Sequence, residues 1–164
     1  MVVAFVKRRG IKDMVEEKIN LSQNLSLKMQ YKNLWNTKDS GIKTVFLAGG
    51  LESGWQDKVK DYFKDLPNIE FFDPRYNGTC VPDDFAGIAG SDIVFCYIEK
   101  ENKSGVGAIS EMTYAHMLGI STLLVNEHDY IHPFFCYLSR WIYTDFNKGL
   151  ETLRKYLIEE NVCN

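Results

Sequence analysis

Two carboxylates of this 164-residue chain, Glu111 and Asp84, have neighbours that suit them to chemistry. Glu111 closes the run Ser104-Gly-Val-Gly-Ala-Ile-Ser-Glu111, which follows the apolar run Asp92 to Ile98 and precedes a helix-like run ending at Gly119. The order reads as strand, glycine loop and helix start, with Glu111 in the first helical turn. Glycines such as Gly105 and Gly107 let backbone N–H groups approach a ligand closely. A helix N-terminus favours negative charge, so Glu111 is expected to stay ionised there. A positioned, ionised carboxylate acts as a nucleophile or as a clamp on a developing cation. Asp84 follows an irregular loop and precedes Phe85-Ala-Gly-Ile. Each acid also has a plain structural role: Glu111 as a generic first-turn acid, and Asp83 or Asp84 as the N-cap of a short helix running to Gly90.

Other positions carry weaker signals. Gly49 and Gly50 end an apolar run, where the backbone passes close to a ligand or only to the next helix. Trp55 suits a core or a cavity wall. Arg75 binds a phosphate or carboxylate, or pairs with a neighbouring acid. Asp92 opens an apolar run, and its side chain suits holding loop N–H groups. Ser104 and Ser110 flank the glycine loop. His116 lies on a different helical face from Glu111 and reads as packing, and His128 and His132 read as solvated loop residues. The P-loop Lys-Ser/Thr is missing, so a phosphate-hydrolysing NTPase is disfavoured. No zinc motif and no Ser/His/Asp or Cys/His order is present.

These residues need a frame. Apolar runs at Thr44–Ala48, Ile69–Phe72, Ile93–Ile98 and Ser121–Val125 read as strands, and Arg140–Tyr143 as a fifth. Trp55, Val59, Tyr62, Phe63 and Leu66 share one helical face, as do Phe146, Leu150, Leu153 and Leu157. Ser110–Leu118 reads as a helix capped by Gly119, and residues 75–82 read as a loop. Strands alternating with helices predict an α/β three-layer sandwich around a mainly parallel five-stranded sheet. In such sheets ligands bind beyond the carboxyl ends of the strands. There the loops at Gly49–Gly54, Asp73–Asp84 and Ser104–Glu111 meet.

The net charge of −3 is unevenly spread. Residues 1–43 hold nine Lys/Arg against four Asp/Glu, and residues 44–164 hold ten against eighteen. The first segment reads as a basic leader with two short helices, and the second as the folded domain. The acidic body argues against a nucleic-acid surface. No apolar run approaches the roughly 18 residues that span a bilayer. Residues 1–6 are apolar, but basic residues follow them, the reverse of a signal peptide. Cys80, Cys96, Cys136 and Cys163 form no CxxC pair, which suits reduced thiols in a cytoplasmic protein.

The ordered set Val45-Phe-Leu-Ala-Gly-Gly50, Trp55-Gln56, Phe72-Asp-Pro-Arg75, Asp84-Phe-Ala-Gly-Ile-Ala-Gly-Ser-Asp92 and Gly105-Val-Gly-Ala-Ile-Ser-Glu111 resembles the nucleoside 2-deoxyribosyltransferase superfamily. Tyr114-Ala115 and Gly119 extend the likeness, which covers about residues 44–127. It is closest to the branch with an Ala-Gly-Gly loop and an Asp-Pro-Arg strand end. The resemblance implies a flavodoxin-like (Rossmann-like) fold. It implies exchange or hydrolysis of the N-glycosidic bond of 2′-deoxynucleosides or nucleotides, with Glu111 as nucleophile and Asp84, eight residues before Asp92, in support. Ala48, Gly49 and Gly50 would approach sugar and base. Trp55, Arg75, Asp92, Gly105 and Gly107 would complete the substrate site. Ser104 and Ser110 would bind a 5′-phosphate or cap the helix. Partners would be a nucleoside or nucleotide and a free nucleobase, with no metal or organic cofactor. A homo-oligomer is expected, because the family completes its sites across subunits. The aromatic run Tyr130, Phe134, Phe135, Tyr137 and Trp141 suits either that interface or the core.

The chain departs from the family in three places. Gly105 stands where classical transferases have an acid six residues ahead of the nucleophile. His128–Cys136 shows no matching Asn, and Phe46 lies where some members have Tyr. Transfer of the deoxyribosyl group between bases is the leading expectation. Hydrolysis of deoxynucleoside 5′-monophosphates by water and a non-catalytic nucleotide-binding module are the alternatives.

Overall fold

Side chains alternate across a strand, so a strand buried on both faces must be apolar at consecutive positions. The chain meets this requirement within Lys43–Gly49 (β1), Ile93–Ile98 (β3) and Ser121–Asn126 (β4), while the edge strands Ile69–Phe72 (β2), where Glu70 is exposed, and Trp141–Tyr143 (β5) are shorter and less buried. A computed structural model describes residues 41–77, 81–101 and 105–159. The leader helices expected within 1–43, together with Cys80, Ser104 and Cys163, lie outside the described residues.

The five strands form one sheet in the order β2-β1-β3-β4-β5, and every pairing is parallel. This is the flavodoxin-like order, in which the chain switches direction at the β1/β3 pair. Val45, Leu47, Ile93, Phe95, Leu123 and Val125 face one layer, built by helices Trp55–Tyr62 (α1) and Phe146–Glu159 (α6). Phe46, Ala48, Val94, Cys96 and Leu124 face the other. That layer holds Val81–Gly90 (α3), Val106–Met117 (α4) and Pro133–Leu138 (α5), with the single turn Pro74–Asn77 (α2) at its edge. Burying each large side chain here is worth about 1.5–3 kcal/mol. Gly149 lets α6 settle on the sheet, since a Cβ there would lie 2.3 Å from Val125 Cγ2.

Four expectations need correction. Helix α4 starts at Val106 rather than Ser110, with left-handed Gly105 (φ 49°) as its N-cap. Gly107 is therefore helical, and Glu111 is the sixth helical residue, in the second turn. Ala108, Met112 and Ala115 explain the longer helix, because they form one buried stripe against the sheet. Likewise α3 starts at Val81, so Asp83 and Asp84 lie inside its first turn and are not its cap. The 75–82 stretch, read as a loop, holds α2 and the start of α3. Finally α5 was not foreseen in the His128–Cys136 region. Pro133 opens it, and the His132 ring accepts the Phe134 N–H at 3.3 Å.

Candidate active site

A cavity of about 1010 Å³ opens at the carboxyl end of the sheet, at the β1/β3 switch point. Gly49 to Ser53 form one wall, and Gly105 to Ala108 with Glu111 form another. Pro74 and Asp84 enter from the β2 side, and Glu99, Lys100, Glu101 and Glu127 from the loops after β3 and β4.

The β1 wall is held by close packing. Gly49 has φ 142°, and a Cβ there would lie 2.3 Å from the Tyr97 carbonyl oxygen. Only glycine accommodates both conditions. The next carbonyl, Gly50 C=O, accepts Trp55 Nε1–H at 2.7 Å and Gln56 Nε2–H at 2.9 Å. Trp55 is buried and packs edge-on against the Tyr97 ring, 5.5 Å between centroids. The loop is thus fastened from behind with its backbone turned to the cavity.

Glu111 and Asp84 project from neighbouring helices α4 and α3. Glu111 Oε2 and Asp84 Oδ1 are buried and accept no hydrogen bond. Burial, and then the charge of Asp84, push the Glu111 carboxyl up to about 7. Burial, and then Asp83, raise Asp84 as well. The buried Cys96 thiol beneath them is pushed up by burial and then by Glu111. An always-ionised Glu111 is therefore not what the fold provides. The orphan N–H groups of α4 lie a turn away, while desolvation and a like charge act directly on the carboxyl.

Six expected site residues come together around the cavity: Glu111, Asp84, Gly49, Gly50, Gly105 and Gly107. Trp55 supports the wall without lining it. Four others lie elsewhere. Ala48 is wholly buried and faces the core. Arg75 is occupied by Asp73 and Asp57, with Arg75 Nη2 at 2.8 Å from Asp73 Oδ2 and 2.6 Å from Asp57 Oδ1. Asp92 stands at the amino end of β3, where its Oδ2 accepts the Thr44 N–H at 2.8 Å. That is the opposite end of the sheet from the cavity, and the group it holds is a strand N–H rather than a loop one. The Ser110 hydroxyl turns back to donate to the Val106 carbonyl at 3.1 Å. His116 packs at the surface against Tyr137, as read from its helical face.

The acids Glu52, Glu99, Glu101 and Glu127 were missed. Their signal was position rather than motif. Glu99 and Glu127 each directly follow a parallel strand, the place where such sheets meet ligands. Among the described residues, no group of three or more His, Cys, Asp or Glu could hold a metal ion. Nor is any helix there long and apolar enough to cross a membrane. Comparison of the chain with protein-family models, with curated proteins and with solved structures returns no match.

Proposed function

We propose that the protein cleaves the N-glycosidic bond of 2′-deoxynucleosides and transfers the deoxyribosyl group to another base. One observation carries this reading. Two carboxylates on adjacent helices, each with a buried oxygen lacking a hydrogen-bond partner, line one cavity. Paired acids of this kind serve glycosidic chemistry, where a cationic sugar forms and a base leaves. Near neutral pH Glu111 is part protonated, because burial and the charge of Asp84 push its carboxyl up to about 7.

The steps balance. Ionised Glu111 attacks the anomeric carbon, the C–N bond breaks, and its electron pair leaves on the base nitrogen. That nitrogen takes a proton from water hydrogen-bonded to the Asp84 carboxylate. A second base then attacks the anomeric carbon, the ester electrons return to Glu111, and the nitrogen proton passes by way of the Asp84 carboxylate to water. Water in place of the second base gives free sugar. The absence of a 2′-hydroxyl eases charge build-up at the anomeric carbon, which suits a deoxy sugar. The cavity exceeds the volume of one nucleoside and leaves room for the exchange.

Mass spectrometry after incubation with a 2-fluoro-2-deoxy nucleoside tests the central step. The expected product is one sugar adduct on the peptide containing Glu111, absent in Glu111→Gln. Turnover without that adduct, or an adduct on another residue, defeats the proposal. Adding a second free base separates transfer, which yields a mixed nucleoside, from hydrolysis. A cytoplasmic location belongs to the same reading and suits the free thiols Cys96 and Cys136. So does a homo-oligomer, since Tyr130, Phe134 and Tyr137 expose their rings around α5. Light scattering during size-exclusion reads the mass directly.

A further inference from the structure

Glu127 directly follows β4 and lines the cavity. Its own N–H donates to the Ile98 carbonyl at 3.0 Å, which extends the β3–β4 ladder and fixes its backbone. Its carboxylate is held twice. Tyr97 Oη donates to Oε1 at 2.6 Å, and the Lys100 N–H donates to Oε2 at 3.3 Å. The Tyr97 ring is itself clamped between Trp55, at 5.5 Å, and Phe146, at 4.6 Å. A carboxylate has about four lone-pair directions. Two are taken by protein donors, so the remaining ones offer fixed acceptor sites on the cavity side.

Such a group accepts from a hydroxyl or N–H and repels an anion. Its neighbours reinforce the sign. Glu52, Glu99 and Glu101 share the lining, and Lys100 is the one cationic side chain among its described residues. Taking Glu111 as the attacking group, we infer that Glu127 is the residue that seats the sugar, by accepting a hydrogen bond from a free sugar hydroxyl, with Tyr97 as its positioning residue. Glu127 thereby orients the anomeric carbon and discriminates against a 5′-phosphate.

Kinetics on the full chain test this with three probes: a deoxynucleoside, its 5′-monophosphate and its 3′,5′-dideoxy analogue. Glu127→Gln is expected to raise KM for the deoxynucleoside by about tenfold or more, the loss of one charge-assisted hydrogen bond. That loss falls in KM far more than in kcat. Tyr97→Phe gives a smaller rise in the same parameter. The dideoxy analogue responds little to either change, and wild type disfavours the monophosphate by at least about tenfold. Equal effects of Glu127→Gln on deoxynucleoside and dideoxy analogue overturn the inference, as does equal or better use of the monophosphate. If Glu111→Gln still abolishes turnover in that case, only the role of Glu127 falls. If Glu111→Gln retains turnover, the nucleophile assignment fails instead. Calorimetry with the same probes covers a chain that turns nothing over. Deoxynucleoside binding weakened by Glu127→Gln then supports the inference, and no binding of any probe overturns both readings.

Discussion

Asp73 and Glu111 are both acids beside the sheet, and the protein treats them in opposite ways. Asp73 is almost wholly buried, yet its carboxylate accepts from Lys60 Nζ at 2.6 Å, from Arg75 Nη2 at 2.8 Å and from the Arg75 N–H at 3.1 Å. Burial alone would raise its pKa, but the bonds from Arg75 and Lys60 outweigh burial and hold it below the ordinary value. Arg75 continues to Asp57, and its guanidinium lies 5.1 Å over the Tyr76 ring. Every oxygen in this cluster has a partner, so it fastens β2 to α1. Glu111 and Asp84 have the reverse arrangement: burial and a neighbouring acid raise each of them, Asp84 acting on Glu111 and Asp83 on Asp84, with no cation among the described residues to offset this. Fully partnered charge holds structure together, whereas partnerless buried charge is costly and marks a site of chemistry.

The contrast breaks most sharply under mutation of the unpaired acid. Glu111→Gln is expected to lower kcat/KM by at least about 10³-fold while leaving the melting temperature unchanged or higher. A matching loss of stability would place Glu111 among the structural acids. The pH–rate profile gives the next largest effect. With a carboxyl at about 7 required in ionised form, kcat/KM falls about tenfold per pH unit below that point. A profile flat from pH 5 to 8 removes Glu111 as nucleophile.

Asp73→Ala reverses the first pattern. It leaves Lys60 and Arg75 facing an emptied buried position, and the expected cost is about 2 kcal/mol of stability by denaturant titration. The folded fraction should keep its kcat. The pH dependence of stability then separates the two acids by sign. The Glu111 carboxyl holds its proton more tightly in the folded chain than in the unfolded one. Its contribution is full below the ordinary value of 4.5 and is lost as pH rises to about 7. The Asp73 contribution is present above 3.8 and is lost as pH falls through its lower folded value. Melting curves of wild type and Glu111→Gln should therefore diverge between pH 4.5 and 7 and run parallel above. The smallest effect belongs to the exposed Arg154–Asp65 pair. Arg154→Ala should leave the melting temperature unchanged within error.

Legibility from the chain varied with the range of the forces involved. Strands β2 and β3 were read to the residue, because β2 lies between the breakers Pro67 and Asp73-Pro74 and β3 is a run of six consecutive apolar residues, all buried. The start of α4 was misread by four residues, because Gly105 and Gly107 have poor helix propensity. Packing of Ala108 and Met112 on the sheet overrode that preference. Pro133 and His132 did carry the signature of α5, a capping side chain followed by proline at the first helical position. Around the cavity, the two acids and four glycines were visible by type and order. Glu127 was not, since nothing near it in sequence reveals the Tyr97 hydroxyl, thirty residues earlier, that holds it.

The amino-acid order alone determined the succession of strands and helices, and with it the parallel sheet whose carboxyl end gathers Glu111, Asp84 and the glycine loops. Those features follow from local periodicity and chain connectivity. Which acids are neutralised and which stand unpartnered was decided only when the chain closed. Arg75, a candidate ligand by type, turned to Asp73 and Asp57, while Glu111 moved into a second helical turn beside Asp84. Ionisation responds to charges and water within a few ångströms, and that neighbourhood is set by packing between residues far apart along the chain.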